Sequence, residues 1–158
     1  ENTVLIIEGI HALNPKVTEL FTFSESWKVY VSAHSDFVDS EGNTVLWAQD
    51  LRLVRRLLRD MSKRGVHPDE TLQMWEDVCR GETVYIRPYR QCADDHVNST
   101  HCYEPLLYKP YFFTLIDEAA IQLKNQEKIQ QLKTAFTYFN EISPSLLPKG
   151  SMLREFLP

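Results

Sequence analysis

At 158 residues, with 43% hydrophobic and 25% charged residues, the chain is long enough to bury one core and has the composition of a soluble globular domain. Its net charge of -5 argues against a general nucleic-acid coat, because neutralising many phosphates takes a basic surplus. The three cysteines, Cys79, Cys92 and Cys102, form no C-x-x-C pair, and no apolar run approaches the ~20 residues of a membrane span or opens as a secretory signal. The composition therefore excludes a membrane partner and reads as cytoplasmic.

In chain order, Val4-Leu5-Ile6-Ile7 reads as a short, fully buried strand of the parallel-sheet kind. So early a core strand implies residues upstream of Glu1, so a fragment is expected. A second strand is expected over 27–31, then a polar surface loop over 36–43. Helical spacing runs from Trp47 to Lys63, with Gly65 placed to stop it, and Pro68, Asp69 and Glu70 open a new helix reaching about Gly81. The stretch 83–90 is expected to be extended or irregular, broken by Pro88, with a short strand over 95–100. After Pro110 the helical period returns through Ile116, Leu123, Ile129, Leu132 and Phe136. Met152, Leu153, Phe156 and Leu157 of the tail are expected to dock onto the domain.

The helix over 51–64 carries the strongest chemical signal. At about 100° per residue, Arg52, Arg55, Arg56, Arg59 and Lys63 fall in one stripe, while Leu53, Val54, Leu57, Leu58 and Met61 occupy the other side. Guanidinium groups suit phosphate oxygens, because they stay charged and offer a rigid fork of donors. A solvated face paired with surface carboxylates explains the stripe as well. Glu8, directly after the first expected strand, stands where open parallel sheets gather ligands, and an acid there can hold Mg²⁺ beside a polyphosphate. Cys92, His96, His101 and Cys102 are zinc-capable, but their spacing does not match paired zinc ligands.

Val4 to Ile10 together with Arg52-Leu53-Val54-Arg55-Arg56-Leu57-Leu58-Arg59-Asp60-Met61-Ser62-Lys63-Arg64-Gly65 resemble the uridine kinase family of P-loop kinases. The runs Glu8 to Asn14, Glu70 to Trp75 and Leu153-Arg154-Glu155-Phe156 are similar to a bacterial nucleoside kinase branch. The resemblance implies an α/β fold: a partial P-loop kinase with a parallel sheet flanked by helices, residues 1–110 forming the carboxyl-terminal part of the core with an arginine-rich lid at 52–81, and 111–158 a helical extension. It also implies ATP and Mg²⁺ as cofactors and a nucleoside as acceptor. Glu8 would belong to the metal site, Arg56 would face the nucleoside, and Arg59 and Arg64 would reach the ATP phosphates as catalytic and cofactor-binding residues. Arg52 and Arg55 are expected to brace the helix or form ion pairs.

Val66 departs from the arginine common in uridine and cytidine kinases after the Arg-Gly pair, which keeps a sugar kinase or another small-molecule kinase open as acceptor class. No Gly-x-x-x-x-Gly-Lys-Ser/Thr loop occurs in the sequence, so the 158 residues alone are expected to be inactive. A non-catalytic module binding a partner through the basic helix is the competing class, and a homo-oligomer paired across an exposed sheet edge is a further expectation.

Overall fold

The computed structural model describes residues 3–19 and 26–158. The chain divides into two compact units, one of residues 1–32 and 76–98, the other of residues 33–75 and 99–158.

In the first unit, Val4 to Ile7 forms no strand, and its side chains are exposed at 87, 67, 86 and 47%. The expected buried strand is therefore corrected. A buried parallel strand needs a hydrogen-bonded neighbour and covered faces, and the parallel ladder among the described residues of this unit joins only residues 29–32 and 95–98. A four-residue helix α1 (Pro15–Thr18) follows, capped by Asn14, whose side chain accepts from the Lys16 N–H at 3.0 Å. Strand β1 (Val29–Ser32) lies parallel to β4 (Asp95–Asn98), with Val29 opposite Asp95 and Ser32 opposite Asn98. The start of the ladder is latched by side chains: Trp27 Nε1 donates to Asp95 Oδ2 at 3.0 Å, and the Lys28 N–H donates to Asp94 Oδ2 at 2.8 Å.

In the second unit, the stretch read as a loop over 36–43 is a hairpin. Strands β2 (Phe37–Val38) and β3 (Thr44–Leu46) pair antiparallel around a turn in which Gly42 takes φ +88°. Asp39 closes the turn by accepting from the Glu41 and Asn43 N–H groups, both at 2.9 Å, and these bonds with the Asn43 amide hold its carboxyl below the ordinary aspartate range.

Helix α2 (Ala48–Arg59) runs without a break into a π-helical turn over Asp60–Arg64, which Gly65 ends in the left-handed conformation at φ +64°. The sequence placed this end correctly. Leu51, Leu53, Val54, Leu57 and Leu58 of α2 are at most 2% exposed, but Met61, expected on the same apolar side, is 43% exposed. The π-helical turn widens the helix at that point and shifts the residues after Arg59 out of a strict 3.6 period.

Helix α3 (Pro68–Tyr85) begins with the His67 ring, whose Nδ1 accepts from the Asp69 N–H at 3.2 Å. It extends four residues beyond Gly81, and a 3₁₀ segment (Arg87–Cys92) continues it. The extended reading of 83–90 is thus corrected. Pro88 ends no strand there; it occupies an early position of the 3₁₀ segment, where its missing N–H is not needed.

Helix α4 (Glu104–Glu118) starts before Pro110 and contains it. Proline at this site frees the Leu106 carbonyl, and the Ile142 N–H takes it at 3.2 Å, which is how the helix carries the residue. Helix α5 (Leu123–Phe136) packs beside it, the Phe112 and Phe136 rings stacking at 5.1 Å. The core of this unit gathers the buried leucines of α2, Leu107, Phe112 and Ile116 of α4, and Ile129, Leu132 and Phe136 of α5. A 3₁₀ turn (Met152–Phe156) closes the chain, with Leu153, Phe156 and Leu157 buried as expected and Met152 45% exposed. The observed class is α/β with a small parallel sheet and a preponderance of helix.

Candidate functional site

The arginines of α2 do not form one cationic rail. Arg55 turns inward: its side chain is 9% exposed, its Nε donates to Glu104 Oε2 at 2.7 Å, and its Nη2 donates to the Ser99 carbonyl at 2.7 Å. Glu104 is wholly buried and also accepts from the His101 N–H at 2.7 Å. Here the helical wheel is corrected. The wheel ranks positions by angle alone, whereas a buried carboxylate 49 residues away draws this arginine into the core. Of the two expectations for Arg55, a brace for the helix or an ion pair, the structure shows the ion pair. Glu104 holds the Arg55 guanidinium in its charged form against the cost of burial.

Beside this pair, burial and the Glu104 carboxylate push the Tyr108 phenol above its ordinary range. The Tyr108 hydroxyl is buried and has no hydrogen-bond partner among the described residues.

Asp60, 2% exposed at the first position of the π-helical turn, gathers three side chains. Arg64 Nη1 donates to Oδ1 at 2.8 Å, the Thr71 hydroxyl donates to Oδ2 at 3.2 Å, and Arg56 Nε lies 3.2 Å from Oδ2, though its N–H is not aimed along that line. Arg56 and Arg64 each stand four positions from Asp60, one on either side, so the ordinary i,i+4 helical spacing brings both onto one carboxylate. Their side chains are 26% and 51% exposed, so each guanidinium keeps a solvent-facing edge. Two cations held on one buried acid are restrained in advance, so fixing them on a further ligand costs less entropy than fixing two unrestrained arginines.

Arg59, the residue directly before Asp60, is engaged elsewhere. Its Nη1 donates to Glu155 Oε1 at 2.9 Å, and its guanidinium carbon stands 5.8 Å from the centre of the Phe156 ring. The structure thus brings Arg56 and Arg64 together and ties Arg59 to the tail. The sequence assigns no role to Glu104, Asp60, Glu155 or Phe156, although Asp60 stands in the arginine block, and Glu155 and Phe156 in the closing run, that carry the resemblance.

Glu8 lies in the first unit, exposed and in irregular backbone just before a turn in which the Ala12 N–H donates to the Gly9 carbonyl at 3.0 Å. It supplies one carboxylate. Mg²⁺ sites of phosphoryl-transfer enzymes use one or two carboxylates, with phosphates and water filling the rest of the shell, so Glu8 fits a share of such a site. Among the described residues no group of three or more His, Cys, Asp or Glu side chains is arranged to hold a metal ion. No helix among them is long and apolar enough to cross a membrane.

Residues 1–104 match the phosphoribulokinase / uridine kinase family. Two proteins named uridine kinase, from Clostridium botulinum strains Okra / Type B1 and Langeland / NCTC 10281 / Type F, are each 32% identical over 93 residues, 58% of this chain. The match covers 36% of each relative, so the chain spans about a third of their length. No solved structure matches.

Proposed function

The chain belongs to the phosphoribulokinase / uridine kinase family, and from that membership we propose that it is part of an ATP- and Mg²⁺-dependent kinase transferring the γ-phosphoryl group to a nucleoside 5′-hydroxyl. The observation that carries the reading is the convergence of Arg56 and Arg64 on buried Asp60, inside the stretch that matches the family. Phosphoryl transfer is dominated by positioning and charge neutralisation. Cations fixed before the ligand arrives are what such a reaction needs.

In this reading residues 52–81 form the lid. Arg64 and Arg59 engage the phosphates of ATP, where their donors neutralise charge that accumulates during transfer, and Arg56 faces the nucleoside. Mg²⁺, when bound, neutralises phosphate charge, and Glu8 contributes one carboxylate to hold it. Closure of the lid excludes water from the transferred group. The 158 residues contain no phosphate-cradling glycine loop with its lysine, so by themselves they transfer nothing.

Supplying the whole protein with ATP, Mg²⁺ and uridine or cytidine tests this function. Formation of the nucleoside 5′-monophosphate is expected. Consumption of ATP only with a sugar or sugar phosphate would move the acceptor to the class that Val66 keeps open, and no transfer to any of these acceptors would refute the kinase reading.

A further inference from the structure

We propose that Glu155 is a displaceable placeholder on Arg59, occupying its guanidinium until a polyphosphate takes its place, while Phe156 keeps the arginine aimed. The inference rests on the reading of Arg59 as a phosphate-contacting residue.

The tail contact has two parts of different character. Glu155 is 55% exposed and engages Arg59 through Nη1 at 2.9 Å, while Arg59 Nε is buried with no hydrogen-bond partner among the described residues. The pair is therefore one-pronged and leaves the guanidinium fork half used. Ion pairs of this exposure are weak, and a polyphosphate brings more charge and more oxygens to the same fork. Glu155 is thus easily replaced.

Phe156 is not. Its ring is 6% exposed, packs edge-on against Tyr108 at 6.1 Å, and its centre lies 5.2 Å from the Arg55 guanidinium carbon and 5.8 Å from that of Arg59. Arg55 is immobilised by Glu104. The ring is consequently held among buried, paired groups, and its face attracts the Arg59 cation whatever anion Arg59 carries. The tail lies beyond residue 104, where the family match ends. A segment outside the matched stretch therefore sets the resting pose of an arginine inside it.

Calorimetric titration of the whole protein with inorganic tripolyphosphate at low salt tests this. Glu155→Gln, isosteric and half-exposed, is expected to tighten binding ~2–5-fold, the range a surface ion pair can supply, and Glu155→Ala should act in the same direction. Arg59→Ala should weaken binding, and Glu155→Gln on the Arg59→Ala background should change nothing further. Unchanged or weaker binding by both Glu155 variants, or equal tightening on the Arg59→Ala background, would overturn the placeholder role and leave the Arg59 reading standing. Wild-type affinity in Arg59→Ala would overturn both. If the cycle behaves as expected while the whole protein phosphorylates no nucleoside, the placeholder stands and only the nucleoside kinase reading falls.

Discussion

Arg55 Nε donates to Glu104 Oε2 across 2.7 Å in the core, joining α2 to the first residue of α4. Both side chains are nearly or fully buried. Such a pair contributes little net stability relative to apolar residues, but removing one partner strands a charge. Glu104→Gln, which leaves the Arg55 cation without its counter-charge, should cost about 3–5 kcal/mol. Urea denaturation checks it: the midpoint should fall with the slope unchanged.

Tyr108 offers a contrasting prediction. Its hydroxyl is buried and has no hydrogen-bond partner among the described residues, so the folded state bears its desolvation cost. Tyr108→Phe should be neutral or stabilising by up to ~1 kcal/mol, measured in the same denaturation. The raised phenol also gives a sign to the alkaline limb. Above about pH 10 the unfolded chain loses the phenolic proton while the folded chain keeps it, so stability should decline with rising pH by at most ~1.4 kcal/mol per unit from this group. Tyr108→Phe should remove that part of the decline.

Gly65 ends the arginine-bearing turn at φ +64°, and a Cβ added there would meet no heavy atom within 4 Å. The cost of Gly65→Ala is therefore conformational alone, about 1 kcal/mol. Thermal unfolding should show a small loss, and a loss several times larger would mean that the turn bears more than its own backbone.

The end of α2 was legible because a glycine directly follows a sustained 3.6-residue period, a local signal. The start of α3 was legible for the same reason, from Pro68 and the acids after it. What the sequence hid was non-local. Val4 to Ile7 has strand composition, yet strand structure comes from a neighbour's hydrogen bonds, which composition cannot supply. Pro110 reads as a helix boundary until the Ile142 N–H, 32 residues on, is seen to occupy the carbonyl it frees.

The candidate site divides along the same line. Family order in the sequence pointed to Arg56, Arg59 and Arg64, and the spacing showed that they share a helix. The i,i+4 spacing of Asp60 from both Arg56 and Arg64 makes their shared carboxylate a local feature, but no spacing shows that Arg59 is held by a tail residue 96 positions away.

Incubating the 158-residue chain alone with ATP, Mg²⁺ and uridine should yield no nucleotide above a no-protein control, since the sequence holds no phosphate-cradling loop. Chromatographic detection of the monophosphate is sufficient, and measurable turnover would show that the phosphates are held by other means.

The central claim, that this helix places arginines on transferring phosphate, is tested most directly by turnover in the whole protein for the wild type, Arg59→Ala and Arg52→Ala. The account predicts a fall of ~10²-fold or more in kcat for Arg59→Ala, the scale of losing one charge-stabilising donor, and a change of no more than a few-fold for Arg52→Ala. Equal losses in the two variants would contradict it, and would mark the helix as a generic basic surface.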